Sequence, residues 1–365
     1  MSVQVSYKKQ VMFSLLFLLA IYFAGEVAIQ TYNFYFPNCR FMNSDVFSDV
    51  DYELQKKICF DNDEIKIQNK PLRLVPDQNL FTVNINSDGF RGEDITKVKQ
   101  DEVYRIFVVG GSTVLGNSAT SDETTISGWL QKFLDESNLS LEVEVINAGI
   151  GGGFSFSEKN FIQNKLIEYD PDLFIIYDGW NDITRPYSVQ KEDSGDYNLA
   201  TQILRNFVVE NEVVKIPGLV FKHYNSYRFS SMEVYSVFDS QDIDKKTELW
   251  KDRWMEVCQI GLKENFEVIV ALQPLVGTGK KVLTSEEEIY FKKYDHENLI
   301  PNYEKYAEQL DEIGSVCSNT VDLRETFDNE TKTIFHDGGH VGDYGNRIIA
   351  EKLFENVYPT IQKQM

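Results

Sequence analysis

Arg105-Ile106-Phe107-Val108-Val109-Gly110-Gly111-Ser112-Thr113 (RIFVVGGST, residues 105–113) is the stretch that decides how this chain is read. Ile106–Val109 is a short apolar run, largely β-branched, of the kind that fills a strand buried on both faces. Gly110 and Gly111 let the backbone turn where a side chain would clash. Ser112 stands at that turn, and Thr124–Leu134 reads as a helix. A serine at the carboxyl end of a buried strand lies where open α/β sheets place their ligands. Taken alone, the stretch also fits a Gly-Ser turn that merely caps a helix. Three later segments favour the first reading.

The same strand-then-helix pattern continues downstream. Leu141–Ile146 reads as a second strand, Asn147–Gly153 as a glycine-rich loop and Ser155–Tyr169 as a helix. Leu173–Tyr177 is a third buried strand, ending in Asp178-Gly179-Trp180-Asn181-Asp182. Lys245–Asn265 is helical and Glu267–Leu272 a fourth strand. Ser285–Val316 is mostly helical with a break near Pro301, Thr320–Leu323 is a fifth strand, and Val341–Tyr358 is the terminal helix. Strands alternating with helices give a parallel sheet covered on both faces. Right-handed crossovers gather the strand ends along one edge. Ser112, the Gly151–Gly153 loop and Asn181 follow successive strands and reach that edge together.

A serine hydroxyl needs a base to take its proton. Of the four histidines, His340 in Phe335-His336-Asp337-Gly338-Gly339-His340 lies between the last strand and the terminal helix, where it can approach the end of the first strand. Asp337 can hold one ring nitrogen and leave the other to accept the serine proton. Acyl transfer also needs donors for a negative oxygen. Gly152, with Gly151 and Gly153 as near equals, can offer a backbone N–H, Asn181 its amide, and Ser112 its own N–H.

Four segments in order resemble the SGNH hydrolases, the GDSL esterase and lipase family: Gly110-Gly111-Ser112-Thr113, Asn147 through Gly152, Gly179-Trp180-Asn181-Asp182, and Asp337-Gly338-Gly339-His340. The resemblance covers roughly residues 103–360. Asn86–Arg91 also looks like the lead-in of bacterial-type members. It implies a flavodoxin-like three-layer α/β/α sandwich with a five-stranded parallel sheet. It also implies catalytic roles for Ser112 (nucleophile), His340 (base) and Asp337 (its partner), with Ser112, Gly152 and Asn181 forming the oxyanion hole. The family's name-giving motif has Asp where this chain has Gly111. No cofactor is implied. The expected partner is a small ester or acylated carbohydrate, cleaved through an acyl-enzyme. Transfer of the acyl group to a glycan uses the same residues, and an idle membrane-tethered glycan-binding module is the non-enzymatic alternative. Two other readings compete: a dinucleotide fingerprint at Gly149-Ile150-Gly151, broken by Phe154, and a metal set of His336, Asp337, His340 and Asp343, without an established spacing.

The formal charge of -21 argues against a nucleic-acid partner, which needs a basic footprint, and against an anionic membrane surface as the main partner. Lys8 and Lys9 precede an apolar run, Val11–Gly25, which Glu26 interrupts and Val27-Ala28-Ile29 resumes. This reads as a signal anchor over residues 11–29, a transmembrane helix in the lipid bilayer. Residues 1–10 are then cytoplasmic and the bulk of the chain lies outside the cytoplasm; a cleaved, secreted form is the alternative. Residues 30–100 form a small β-rich extension, and residues 101–365 the catalytic domain. An insertion, 183–243, is a candidate lid, with Trp180 and Tyr187 near the mouth. The even cysteine count fits an oxidising compartment, with Cys39–Cys59 and Cys258–Cys317 as disulfides, although four free buried thiols stay open. Asn138-Leu139-Ser140 and Asn329-Glu330-Thr331 match the glycosylation acceptor pattern.

Overall fold

Side chains alternate across a strand. In Val103–Gly110 (β1) this sends Ile106 and Val108 to one face of the sheet and Phe107 and Val109 to the other, all four without exposed surface. The structure is a computed structural model that describes residues 6–37, 39–69, 71–190, 215–232, 234, 238 and 240–363. Four more strands flank β1: Glu142–Gly149 (β2), Leu173–Asp178 (β3), Glu267–Leu272 (β4) and Asn319–Asp322 (β5). They form one sheet in the order β2-β1-β3-β4-β5, and every neighbouring pair is parallel. This is the flavodoxin-like order, whose direction reverses between β1 and β3 and opens a crevice at their carboxyl ends.

Both faces are covered. On one, Ile126, Leu130 and Leu134 of the helix Ile126–Asp135 join Ile349, Leu353, Val357 and Ile361 of Asp343–Gln362, at the spacing of amphipathic helices. On the other lie Phe161 and Ile162 of Ser155–Asn164, Trp250, Trp254 and Val257 of Ile243–Glu264, and Leu299, Tyr303 and Tyr306 of His296–Ala307. The fold is therefore a three-layer α/β/α sandwich around a five-stranded parallel sheet.

Several boundaries differ from the sequence reading. Asn147–Gly149 belong to β2 rather than to the glycine loop, because Asn147 pairs with Val108 and bridges Arg91 as well. The break in the long helical stretch falls at Tyr294–Asp295, where Asp295 has φ +57°, and Pro301 sits inside the following helix. The alternating stretch 81–86 contributes only Asn84–Ile85, paired with Gln78–Asn79. Cys258 and Cys317 form a disulfide, and Cys39 and Cys59 are oxidised as well.

The chain divides into two units, Met1–Cys39 with Gly195–Met232, and Arg40–Ser194 with Glu233–Met365. The sheet lies in the second. The first holds the helix Tyr7–Tyr35, whose 29 residues are long and apolar enough to cross a membrane, and the helix Ile216–Ser231. The expected lid falls partly on residues 191–214, outside the described residues.

Arg91 fastens the approach to β1. Its guanidinium donates to the carbonyls of Leu115 (2.8 Å), Gly116 (2.8 Å) and Thr82 (2.8 Å) and to Asp122 Oδ1 (2.6 Å). Leu115 and Gly116 end the short helix Ser112–Leu115, so Arg91 satisfies carbonyls that the helix leaves unpaired. Arg91→Met should lower unfolding free energy by about 3 kcal/mol, since it strands the Leu115 and Thr82 carbonyls and takes the cation from Asp122. Denaturant titration of the purified full chain, with an unchanged m-value, measures it.

Candidate active site

Ser112 is the first residue of the helix Ser112–Leu115, so its own N–H has no partner within that helix. The turn that puts it there leaves no room for side chains. A Cβ on Gly110 would lie 2.4 Å from the carbonyl oxygen of Tyr177, and one on Gly111 would lie 2.7 Å from Asn181 Nδ2. A larger residue would press on the Asn181 amide.

Ser112 Oγ lies 2.7 Å from His340 Nε2, and His340 Nδ1 lies 2.8 Å from Asp337 Oδ2. The loop carrying these residues is closed by a bridge between Phe335 and Val341 and by the bond from His336 N–H to the His340 carbonyl. Asp337 Oδ1 accepts the N–H groups of Gly339 (2.9 Å) and His340 (2.8 Å), so the same carboxylate shapes the loop and holds the ring. Burial would push the Asp337 carboxyl up. The positive field and hydrogen bond of His340 outweigh it and hold Asp337 well below the usual carboxylate range. Burial likewise favours neutral His340, but Asp337 raises its pKa above the ordinary 6.5.

The glycine loop is held from several sides. Gly152 has φ +76°, a left-handed conformation that favours glycine. Its carbonyl accepts from Arg185 Nη2 at 2.6 Å, and the Arg185 guanidinium lies 4.7 Å from the centre of the Phe154 ring. The Gly153 carbonyl accepts from Asn181 Nδ2 at 2.6 Å, and the Ile150 N–H reaches the Gly110 carbonyl at 3.0 Å. Asn181 thus spends one amide hydrogen on the loop and keeps a second. Gly151 lies beside Ile67 and Leu115.

Around this site lies a group of buried acids that sequence reading missed. Asp182 accepts from Ser155 N–H at 3.0 Å and from the Ser155 hydroxyl. Arg253 donates to Ser155 Oγ at 2.8 Å and lies 3.8 Å from Asp182. Burial, with Asp182 and Glu158 nearby and a hydrogen bond to Asp182, pushes Asp178 well above the carboxylate range, and Trp250 Nε1 donates to it at 3.0 Å. Glu158 is 2% exposed, and neither carboxyl oxygen has a hydrogen-bond partner. Burial and Asp182 push it well above 4.5, against the opposing pull of Arg185. A Cβ on Gly153 would come 2.8 Å from its Oε1. Glu158 and Arg253 sit on helices, where charged residues ordinarily read as a solvent face. Only the coincidence of Arg253 with an otherwise apolar helical stripe would have marked it.

The remaining candidates separate. Trp180 packs against Tyr294 and His296 and lies over Gly338 and Gly339, beside the base loop; Tyr187 carries Lys245 at 5.4 Å from its ring centre. His336 stacks on His340 with ring centres 5.8 Å apart and packs against Phe41 and Phe47; burial pushes it down to about 4. Asp343 is taken up by Thr120, whose N–H it accepts at 3.0 Å. Among the described residues no group of three His, Cys, Asp or Glu side chains is placed to hold a metal ion.

No family model matches this chain, and no curated protein does. Among solved structures, the acetyl xylan esterase AlAXEase is similar at 17% identity and a TM-score of 0.41, covering 69% of this chain and 99% of its own. Axe2, an acetylxylan esterase from Geobacillus stearothermophilus, is similar at 13% identity and a TM-score of 0.41, covering 72% of this chain and 96% of its own.

The buried acids carry a pH signature. A carboxyl whose pKa is raised by folding stays protonated while its unfolded counterpart ionises, so its burial costs more stability as pH climbs above about 4.3. The stability of Glu158→Gln relative to the unaltered chain should therefore increase from pH 5 to pH 8. Paired denaturant titrations at the two pH values read the difference directly. A constant difference would show that Glu158 is ionised in the fold.

Proposed function

We propose that this chain is a membrane-anchored, extracytoplasmic serine esterase that removes a short acyl group, such as acetyl, from a carbohydrate or small ester. The observation that carries this reading is the continuous relay from Ser112 Oγ through His340 to Asp337, at 2.7 and 2.8 Å. In this reading Ser112 Oγ attacks the ester carbonyl while His340 Nε2 takes its proton. Asp337 keeps the Nδ1 proton in place and stabilises the imidazolium. The N–H groups of Ser112 and Gly152 and the Asn181 amide receive the carbonyl oxygen as it becomes negative. The imidazolium returns its proton to the leaving alcohol. A water molecule, deprotonated by the same nitrogen, then releases the acid and frees Ser112.

The anchor reading rests on the helix Tyr7–Tyr35, whose apolar side chains are exposed, and on Lys8 and Lys9 at its start. The positive-inside rule puts those lysines in the cytoplasm and the site on the other side.

Assays on acetyl and longer-chain esters test the reading. Ser112→Ala and His340→Ala should each reduce turnover to background with the fold intact by circular dichroism; unchanged activity in Ser112→Ala would refute it. Asn181→Ala should lower kcat by about a hundredfold or more through loss of one donor.

The base must be neutral to accept a proton, so kcat/KM should fall as pH drops through the His340 pKa. Because Asp337 holds that pKa above 6.5, the acid limb should have its midpoint above 6.5. Asp337→Asn leaves only burial, which favours the neutral ring, so the limb should move to lower pH while the plateau drops. A pH–rate profile of both proteins checks the shift.

A further inference from the structure

Glu26 is an acid at the end of an otherwise apolar run, where an ionisable side chain is expensive unless it has partners. Its partners are present. The carboxylate accepts the backbone N–H groups of Lys215 (2.5 Å) and Ile216 (3.0 Å) and the side-chain amide of Gln30 (2.6 Å), and the residue is only 4% exposed. Lys215 and Ile216 are the cap and first residue of the helix Ile216–Ser231, so Glu26 satisfies donors that this helix leaves unpaired and opposes its positive end. Pro217 follows, where the missing N–H costs nothing. A Cβ on Gly25 would lie 3.8 Å from Ile216 Cδ1, so the two helices also touch beside the cap. The second helix therefore starts at the outer end of the run Val11–Gly25.

The helix Ile216–Ser231 is unlike the rest of the chain. Residues 215–231 contain Lys215, Lys222 and Arg228 and no acidic residue, in a protein of formal charge -21. Val220, Tyr224 and Tyr227 recur at the spacing that places them on one side, with Phe221 alongside, and they are 57%, 55%, 72% and 49% exposed. Tyrosine and phenylalanine beside basic residues, without acids, is the pattern of helices that lie at the surface of a bilayer. The basic side chains complement anionic headgroups, which the acidic remainder of the chain would repel.

We propose that the helix Ile216–Ser231 lies in the headgroup region of an anionic bilayer as a second membrane contact, and that Glu26 sets its depth by capping it at the end of the anchor. This rests on the anchor reading above. The segment inserted after β3 then serves, in this part, to meet lipid.

The test uses the full chain in vesicles of phosphatidylcholine and phosphatidylglycerol that carry a phospholipid with a photoreactive diazirine, with adducts mapped by mass spectrometry. Label is expected on peptides from both 7–35 and 215–231. The double variant Tyr224→Glu/Tyr227→Glu should lose label on 215–231 by about fivefold or more while 7–35 keeps it. Glu26→Ala should lower label on 215–231 and spare 7–35; undiminished label there would overturn the depth-setting role of Glu26. Label on 7–35 with none on 215–231 overturns the inference and leaves the anchor standing. Label on neither overturns both. A bifunctional amine cross-linker that joins copies through Lys215 or Lys222, with no lipid adduct on 215–231, would assign that face to a second copy of the chain and overturn the proposal.

Discussion

The hydrogen bond between Ser112 and His340 joins groups 228 residues apart. Nothing local brings them together, and closing so long a loop is opposed by chain entropy. The sheet supplies the constraint. β1 delivers Ser112 at its carboxyl end. Asp343–Gln362 packs on the same face of the sheet as Ile126–Asp135, and His340 immediately precedes it. Asn181 arrives from the next strand, and the residue two beyond it, Ile183, is buried in the core on the opposite face. The three groups are therefore held by both hydrophobic layers, and the precision of the site is inherited from side chains that touch no substrate.

The acids beside the site show a second side of the same economy. Three carboxyls, Glu158, Asp178 and Asp182, lie buried, with Arg253 3.8 Å from Asp182 and Arg185 acting on Glu158. Like charges at this density cannot all ionise. Burial and the neighbouring carboxyls push Glu158 and Asp178 well above the ordinary carboxylate range. In the proposed mechanism, a fully ionised cluster there would place negative potential behind the carbonyl oxygen as it becomes negative. Asp182 holds the helix of Ser155 to the turn of Asn181, which places two of the proposed donors on one hydrogen-bonded frame.

How far the sequence could be read depended on whether a residue's role is local. Buried strands announce themselves by apolar β-branched runs, so β3 and β4 were legible nearly to the residue and β1 in its apolar centre, Ile106–Val109; the alternation with helices gave the parallel sheet, and the flavodoxin-like order came from the family resemblance. Ser112, Asn181, Asp337 and His340 were singled out by four short segments in the order of a known family, and the structure brings Ser112, His340 and Asp337 within hydrogen-bond distance of one another. Arg91, Arg185, Arg253 and Glu158 were not. The three arginines have partners far away in the chain, and Glu158 is buried with no hydrogen bond to its carboxyl oxygens, whereas an ionisable residue in a helix or loop reads as solvent-facing until the fold is seen. The helical break was misplaced because Pro301 is the obvious breaker, whereas the turn is made by Asp295 in a left-handed conformation that its identity barely advertises.

Cys258 and Cys317 link the helix Ile243–Glu264 to the residues just before β5, across 59 positions. β5 is the shortest strand of the sheet and stands at its edge, with one neighbour only. A cross-link closing a loop of that length removes on the order of 4 kcal/mol of freedom from the unfolded chain. The bond thus acts as a rivet at the margin of the sheet, where pairing is weakest and an unpaired backbone would invite other strands. Material made in a reducing cytosol would lack that rivet, so its last strand and the loop of Asp337 and His340 that follows it would be the first parts of the sandwich to peel away.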